Sequence, residues 1–190
     1  MTVLCDTCSI LMLLRIAPEM FIDERYECIT INDVRNEFFG TQKFKTKYPW
    51  RTQFKNKIHT LGTSIFETKN FNDYFSVIEN MIAILTFKYD KNRDYGLSPV
   101  DKRIAACVLA NNFKISTTDI DLMDFLFNEF DIQNTSPLKL INLWLKKGLI
   151  TWTDYHQAII EDWYLCNEAP QPKEDILEFE KITNYKYVGP

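Results

Sequence analysis

An acid set inside an apolar run constrains this chain most. In VLCDTCSILMLL, residues 3 to 14, a segment apolar enough for a strand buried on both faces stops at Asp6 and resumes at once as an apolar helix pattern. The theme returns in FKISTTDIDLMDFLF, residues 113 to 127, where a strand running to about Thr118 ends in Asp119 and Asp121 before another helix. Between them, YECITI at residues 26 to 31 reads as a strand. Asn32 reads as the N-cap of a short helix, DVRNEFF, closed by Gly40. Strand, helix, strand, helix is an α/β pattern.

The remaining elements follow from periodicity and capping. A helix from about Ser9 to Arg15 is stopped by Pro18, and a long helical pattern starts at Asn72 and runs through NDYFSVIENMIAILTFKY to a polar loop, KNRDYG. In LSPVDKRIAACVLANN, Ser98 is the expected N-cap and Pro99 the first helical residue. FDIQN, residues 130 to 134, is expected to form one more short strand, and SPLKLINLWLKKGLI a capped helix ending at Gly148. A further helix runs through Ile160. NEAPQPKEDILEFEKITNYKYVGP carries three prolines, five acids before Thr183 and little periodicity, and is expected to be a partly ordered tail over 167–190.

With 190 residues the chain is the size of one domain. Its opening, MTVLCDTC, lacks the features of a secretory signal, and no run approaches the ~20 apolar residues of a membrane span, so the expectation is a soluble cytoplasmic protein that engages no membrane. The five cysteines are an odd number in a chain too long to need a disulfide framework. A net charge of −4 predicts no general affinity for polyanions, so a nucleic-acid contact needs a local patch. One exists: residues 41 to 66 contain no Asp or Glu, while Lys43, Lys45, Lys47, Arg51, Lys55 and Lys57 alternate with Phe44, Tyr48, Trp50 and Phe54. Such a segment suits RNA through phosphate neutralisation and base stacking, and equally suits a solvated face over core aromatics.

Taken singly, the acids have plain explanations. Asp6 and Asp119 sit where helix caps sit, and Asp101, three residues after Ser98, completes a capping box. Glu37 and Asp101 are different in one respect: each shares the apolar stripe of its helix. In a parallel α/β sheet the carboxyl ends of the strands form one rim where ligands bind. Four acids converging there would repel by about 4 kcal/mol per pair at 4 Å in an effective dielectric near 20, and protonation or a cation must relieve them. Carboxylate oxygens select Mg(II) or Mn(II), a donor set suited to phosphodiester hydrolysis.

In order and spacing, VLCDTCSILMLL, ITINDVRNEF, LSPVDKRIAACVLANN and ISTTDIDL resemble the four acidic motifs of the PIN-domain nuclease family. The resemblance covers roughly residues 1 to 130. It implies a three-layer α/β/α fold with a central, mostly parallel sheet, and divalent-metal-dependent cleavage of RNA. Asp6, Glu37, Asp101 and Asp119 would then be catalytic, with Asp6, Asp101 and Asp119 holding Mg(II) or Mn(II), and Thr7, Thr117 and Asp121 auxiliary. PLKLINLWLKKGLI is similar to the extension of some toxin-like PIN proteins, and the stretch between Glu37 and Asp101 is longer than in small PIN toxins. The expected organisation is a nuclease domain at 1–135 with a helical, basic insertion at about 41–95, then a helical extension at 136–166 packed on it, then the tail. The expected partners are RNA, an antitoxin protein and a second copy of the chain in a homodimer.

Two other classes remain open. One is a PIN-like module that binds RNA or protein without cleaving. The other is a thiol redox protein, because Cys5-x-x-Cys8 lies at a strand-to-helix junction where a helix N-terminus stabilises a thiolate, although Asp6 between the cysteines opposes that charge. Zinc has little to bind to, since no second C-x-x-C exists and His59 and His156 are the only histidines.

Overall fold

A computed structural model describes residues 2–84 and 95–190. The chain is α/β, with a small parallel sheet and mostly helices around it. The sheet comprises β1 (Val3–Cys5), β2 (Cys28–Ile29) and β3 (Lys114–Ser116), in the order β2-β1-β3. Every residue of β1 is buried, as the central strand of a parallel sheet must be, and Val3 pairs with both Cys28 and Lys114. The expected fourth strand at FDIQN is reduced to a single parallel bridge between Asn134 and Ile115. YECITI likewise contracts to Cys28–Ile29, because Glu27 adopts a left-handed φ of 56° and Tyr26 belongs to a 3₁₀ turn.

The connection from β1 to β2 passes through α1 (Thr7–Leu13), which begins earlier than the sequence pattern predicts because Asp6 caps it directly. The connection from β2 to β3 returns across β1 through α2 (Asn32–Gly40), α3 (Gln42–Lys47), α4 (Lys69–Ile84) and α5 (Pro99–Asn111). The chain therefore changes direction at β1, which opens a crevice at the carboxyl ends of β1 and β3. Asn32 is not the cap of α2 but its first residue, preceded by buried Ile31, and no side chain caps this end. The predicted helix from Asn72 agrees with α4 as far as Ile84; its remainder and most of the KNRDYG loop lie outside the described residues.

After β3 come α6 (Ile120–Phe130), α7 (Pro137–Lys146), α8 (Asp154–Leu165) and α9 (Lys173–Thr183). Gly148, at φ +67°, makes the left-handed turn after α7 that other residues adopt only with strain. Where the sequence pattern predicts a partly ordered tail, α9 packs along α7 and buries Phe179 completely. Asp175 of α9 is also buried, accepting a hydrogen bond from Ser136 Oγ at 2.6 Å. The weak periodicity of this segment conceals one anchoring aromatic and one satisfied acid. Trp163 of α8 ties the other side of this helical layer to α1 by donating to the Met12 carbonyl at 3.1 Å. No helix among the described residues is long and apolar enough to cross a membrane.

Candidate functional site

Asp6 leaves the end of β1 almost fully buried, at 4% exposure. Its backbone N–H donates to the Ser116 carbonyl of β3 at 3.1 Å, which continues the β1–β3 ladder one residue past the strand. Its side chain faces two tasks at once. Oδ1 accepts the Ser9 N–H at 2.7 Å and caps α1, and Oδ2 accepts a short hydrogen bond from the Thr117 hydroxyl. Burial pushes the Asp6 carboxyl up to about 7; the bonds from Thr117 and Ser9 oppose that rise, and the charge of Asp101 adds to it.

Asp119, two residues beyond Thr117, caps α6. Its Oδ1 accepts N–H bonds from Asp121 at 2.9 Å and Leu122 at 3.0 Å. Asp101 completes the capping box of α5, accepting the Ser98 N–H at 2.8 Å while Ser98 Oγ accepts from Asp101 N–H at 3.2 Å. Burial raises the Asp101 carboxyl, Ser98 restrains that rise, and the negative charges of Asp119 and Glu37 add to it. Glu37 differs from expectation in being exposed rather than facing the core, but its Oε2 accepts a short hydrogen bond from the buried Thr7 hydroxyl, next to Asp6.

The four acids thus share one electrostatic neighbourhood, each joined to another by charge or through a threonine. Among the described residues none of them is in an ion pair. The cations of α5 are engaged elsewhere: Arg103 pairs with Asp33 at 2.9 Å and Lys102 with Glu79 at 3.9 Å. Among the described residues, however, no three His, Cys, Asp or Glu side chains stand as a ready ligand set.

Two supporting residues, Asn134 and Gly96, were not visible in the motifs. The Asn134 side chain clamps Thr117, accepting its N–H and donating to its carbonyl, each at 3.0 Å, which orients the hydroxyl on Asp6. Asp121 accepts the Gly96 N–H at 2.9 Å and so ties α6 to the loop that leads into α5. A Cβ at Gly96 would lie 2.7 Å from Asp121 Oδ2, so a larger residue there would displace the Asp121 carboxylate from this bond. Only a polar residue ending a short strand, in the case of Asn134, hinted at either role.

The basic segment divides. Arg51 is 1% exposed and donates to the carbonyls of Phe39 at 3.0 Å and Thr41 at 3.4 Å, at the negative end of α2; it is a core residue and not an RNA contact. Lys57 pairs with Glu19 at 2.5 Å and Lys47 lies 3.5 Å from Glu168. Lys43, Lys45 and Lys55 are exposed. The aromatics expected to stack on bases instead pack inward, Phe44 and Tyr48 buried and Trp50 and Phe54 against the core. Their periodicity served the interior.

The cysteine pair is poorly suited to thiolate chemistry. Cys5 is buried against Cys28, and that contact together with burial drives its thiol up. Burial also raises Cys8, with Asp6 adding to the effect. The acid between the cysteines acts as the sequence suggests.

Comparison with protein-family models, with curated proteins and with solved structures found no match. The fold and the site define an α/β protein whose small parallel sheet carries a group of carboxylates at its carboxyl rim, none of them ion-paired among the described residues.

Proposed function

We propose that the chain is a divalent-metal-dependent endoribonuclease of PIN-like, three-layer architecture. The observation that carries this reading is the group formed by Asp6, Asp101, Asp119 and Glu37, in which the charge of Asp101 adds to the rise of Asp6 and those of Asp119 and Glu37 add to the rise of Asp101, and none of which has an ion-pair partner among the described residues. A protein that keeps such a group at a sheet rim retains a site for positive charge.

The donors suit Mg(II) or Mn(II) in kind, being hard carboxylate oxygens. Mg(II) commonly keeps several waters and takes one or two carboxylates together with substrate phosphate, so a rim without a ready three-residue ligand set still matches its chemistry. One or two of Asp6, Asp101 and Asp119 would hold the ion. When bound, it would supply Lewis-acid stabilisation of the phosphate and a more acidic water. Thr117, clamped by Asn134, orients Asp6, and Thr7 orients Glu37 as the residue placed to accept a proton from the attacking water. Exposed Lys43, Lys45 and Lys55 supply charge for the RNA backbone.

Purified protein is expected to cleave single-stranded RNA with Mg(II) or Mn(II), to stop in EDTA, and to lose activity on Asp6→Asn. Undiminished cleavage in EDTA would overturn the metal reading. If the protein is a toxin, its expression arrests growth and Asp119→Asn relieves the arrest. A second reading, a PIN-like binding module without catalysis, draws on the use of Asp6, Asp101 and Asp119 as helix caps. RNA bound but left intact in Mn(II) would decide for it.

A further inference from the structure

Beside the acid rim lies a groove of about 330 Å³, between the first turn of α6, the start of α7 and the segment 169–172. Ile120 and Met123, three residues apart on one face of α6, form one wall, and Pro137, Ala169 and Pro170 form the others. Ile120 is 54% exposed at the mouth. The volume falls at the small end of ligand pockets, which begin near ~300 Å³.

Most polar side chains of the groove are already engaged. Asn134 holds Thr117, and Ser136 Oγ donates to Asp175 and accepts from the Lys139 N–H. Gln171 accepts the Leu138 N–H at 3.0 Å and donates to the Ala169 carbonyl at 2.9 Å. The groove therefore offers apolar faces and no charged side chain, which suits a flat ring and rejects a phosphate. Thr117 joins it to the acids, since the residue that lines the groove also donates to Asp6.

We propose that this groove receives one nucleobase of the RNA strand whose phosphate lies on the acid rim, an inference that rests on the ribonuclease reading. Bases taken out of a stack are held between apolar or aromatic side chains in pockets of this kind. Because most of the wall's hydrogen-bonding side chains are committed, the groove senses the presence of a base more than its identity.

Two measurements on the full chain test this. In the first, adenosine and ribose 5-phosphate are titrated separately onto protein with methyl-labelled methionine. Adenosine is expected to shift the Met123 methyl signal and ribose 5-phosphate to leave it unmoved, with Ala169→Trp abolishing the shift. Ile120→Asn, at an exposed position that tolerates the change, should weaken adenosine about tenfold. In the second, an abasic ribonucleotide is walked along an RNA substrate. At one position relative to the cut, kcat/KM should fall about tenfold, and Ile120→Asn should suppress that dependence. No Met123 shift with adenosine, or an equal shift with ribose 5-phosphate, overturns the subsite. If adenosine binds as expected and no RNA is cut, the subsite stands and the ribonuclease reading falls.

Discussion

The hydroxyl of Thr117, just past β3, donates to the carboxylate of Asp6, just past β1, across 111 residues of sequence. This bond joins two strand ends, and Thr117 Oγ1 also accepts the Asp119 N–H at 2.9 Å. Two acids that, taken singly, read as separate helix caps are therefore linked through one threonine.

Stability should fall as pH rises through the range set by Asp6. Its carboxyl titrates near 3.8 when unfolded and about 7 when folded, so between these values the native state binds more protons than the unfolded state. Protonated Asp6 is compatible with its burial below pH 4, and that advantage disappears by about pH 7. About three pKa units correspond to ~4 kcal/mol as an upper bound. Urea denaturation of metal-free protein from pH 4 to pH 8 should show this slope, and Asp6→Asn should flatten it. A slope unchanged by the substitution would mean that Asp6 ionises freely in the fold.

Asp119→Asn separates capping from metal binding. Asparagine keeps the Oδ1 that accepts the Asp121 and Leu122 N–H groups, so the cap survives. Removal of one negative charge beside Asp101 should raise metal-free stability by ~1 kcal/mol, offset in part by the lost attraction to the helix N-terminus. Mn(II) should raise the Tm of wild type and raise that of the variant much less. Thermal melts with EDTA and with Mn(II) check both points; equal Mn(II) shifts would leave Asp119 a cap alone.

Thr7→Val removes a hydroxyl and little else, since Thr7 is buried and valine has a similar shape. The loss of its bond to Glu37 should cost about 1 kcal/mol of stability. RNA cleavage should fall by more than that small change in folding explains. Cys8→Ser, in contrast, should retain most cleavage, because the Cys8 thiol is held protonated and has no assigned role at the rim. Loss of activity with Cys8→Ser would revive the redox class.

The cations should divide by burial. Replacing Lys43, Lys45 and Lys55 with glutamine should weaken RNA binding and reduce its salt dependence by a slope of roughly 0.7 per lost phosphate contact, with stability unchanged. Arg51→Ala should instead destabilise the fold by about 3 kcal/mol, through a cavity and two carbonyls left without the guanidinium. Filter binding across a salt series and denaturant melts distinguish the two behaviours.

Phe179→Ala should cost about 3 to 5 kcal/mol, as expected for a large aromatic side chain with no exposed surface. Exposed Leu177, two residues earlier on the same helix, should tolerate alanine within ~0.5 kcal/mol. Equal effects at both positions would mean that α9 does not dock as described.

Much of the local structure was legible in the sequence because its determinants lie within a few residues of one another. The strand–acid–helix junctions at Asp6 and Asp119, the Ser98–Asp101 capping box and the turn at Gly148 each depend on near neighbours, and each is present. Even there, Asn32 looked like a cap and is the first residue of α2, because a capping residue type does not specify its backbone angles. Tertiary structure alone decided what these pieces meet. Periodicity reports which face of an element is apolar, but it says nothing of which distant group satisfies a polar atom on that face. Thus Glu37 shares the sequence stripe of Val34 and Phe38, yet lies exposed and held by Thr7; Arg51 belongs to a basic run, yet is enclosed over the end of α2. Phe179 stands in a weakly periodic segment, yet is fully buried where α9 meets α7, because one aromatic side chain and one satisfied acid suffice to dock a helix that already has a surface to lie on.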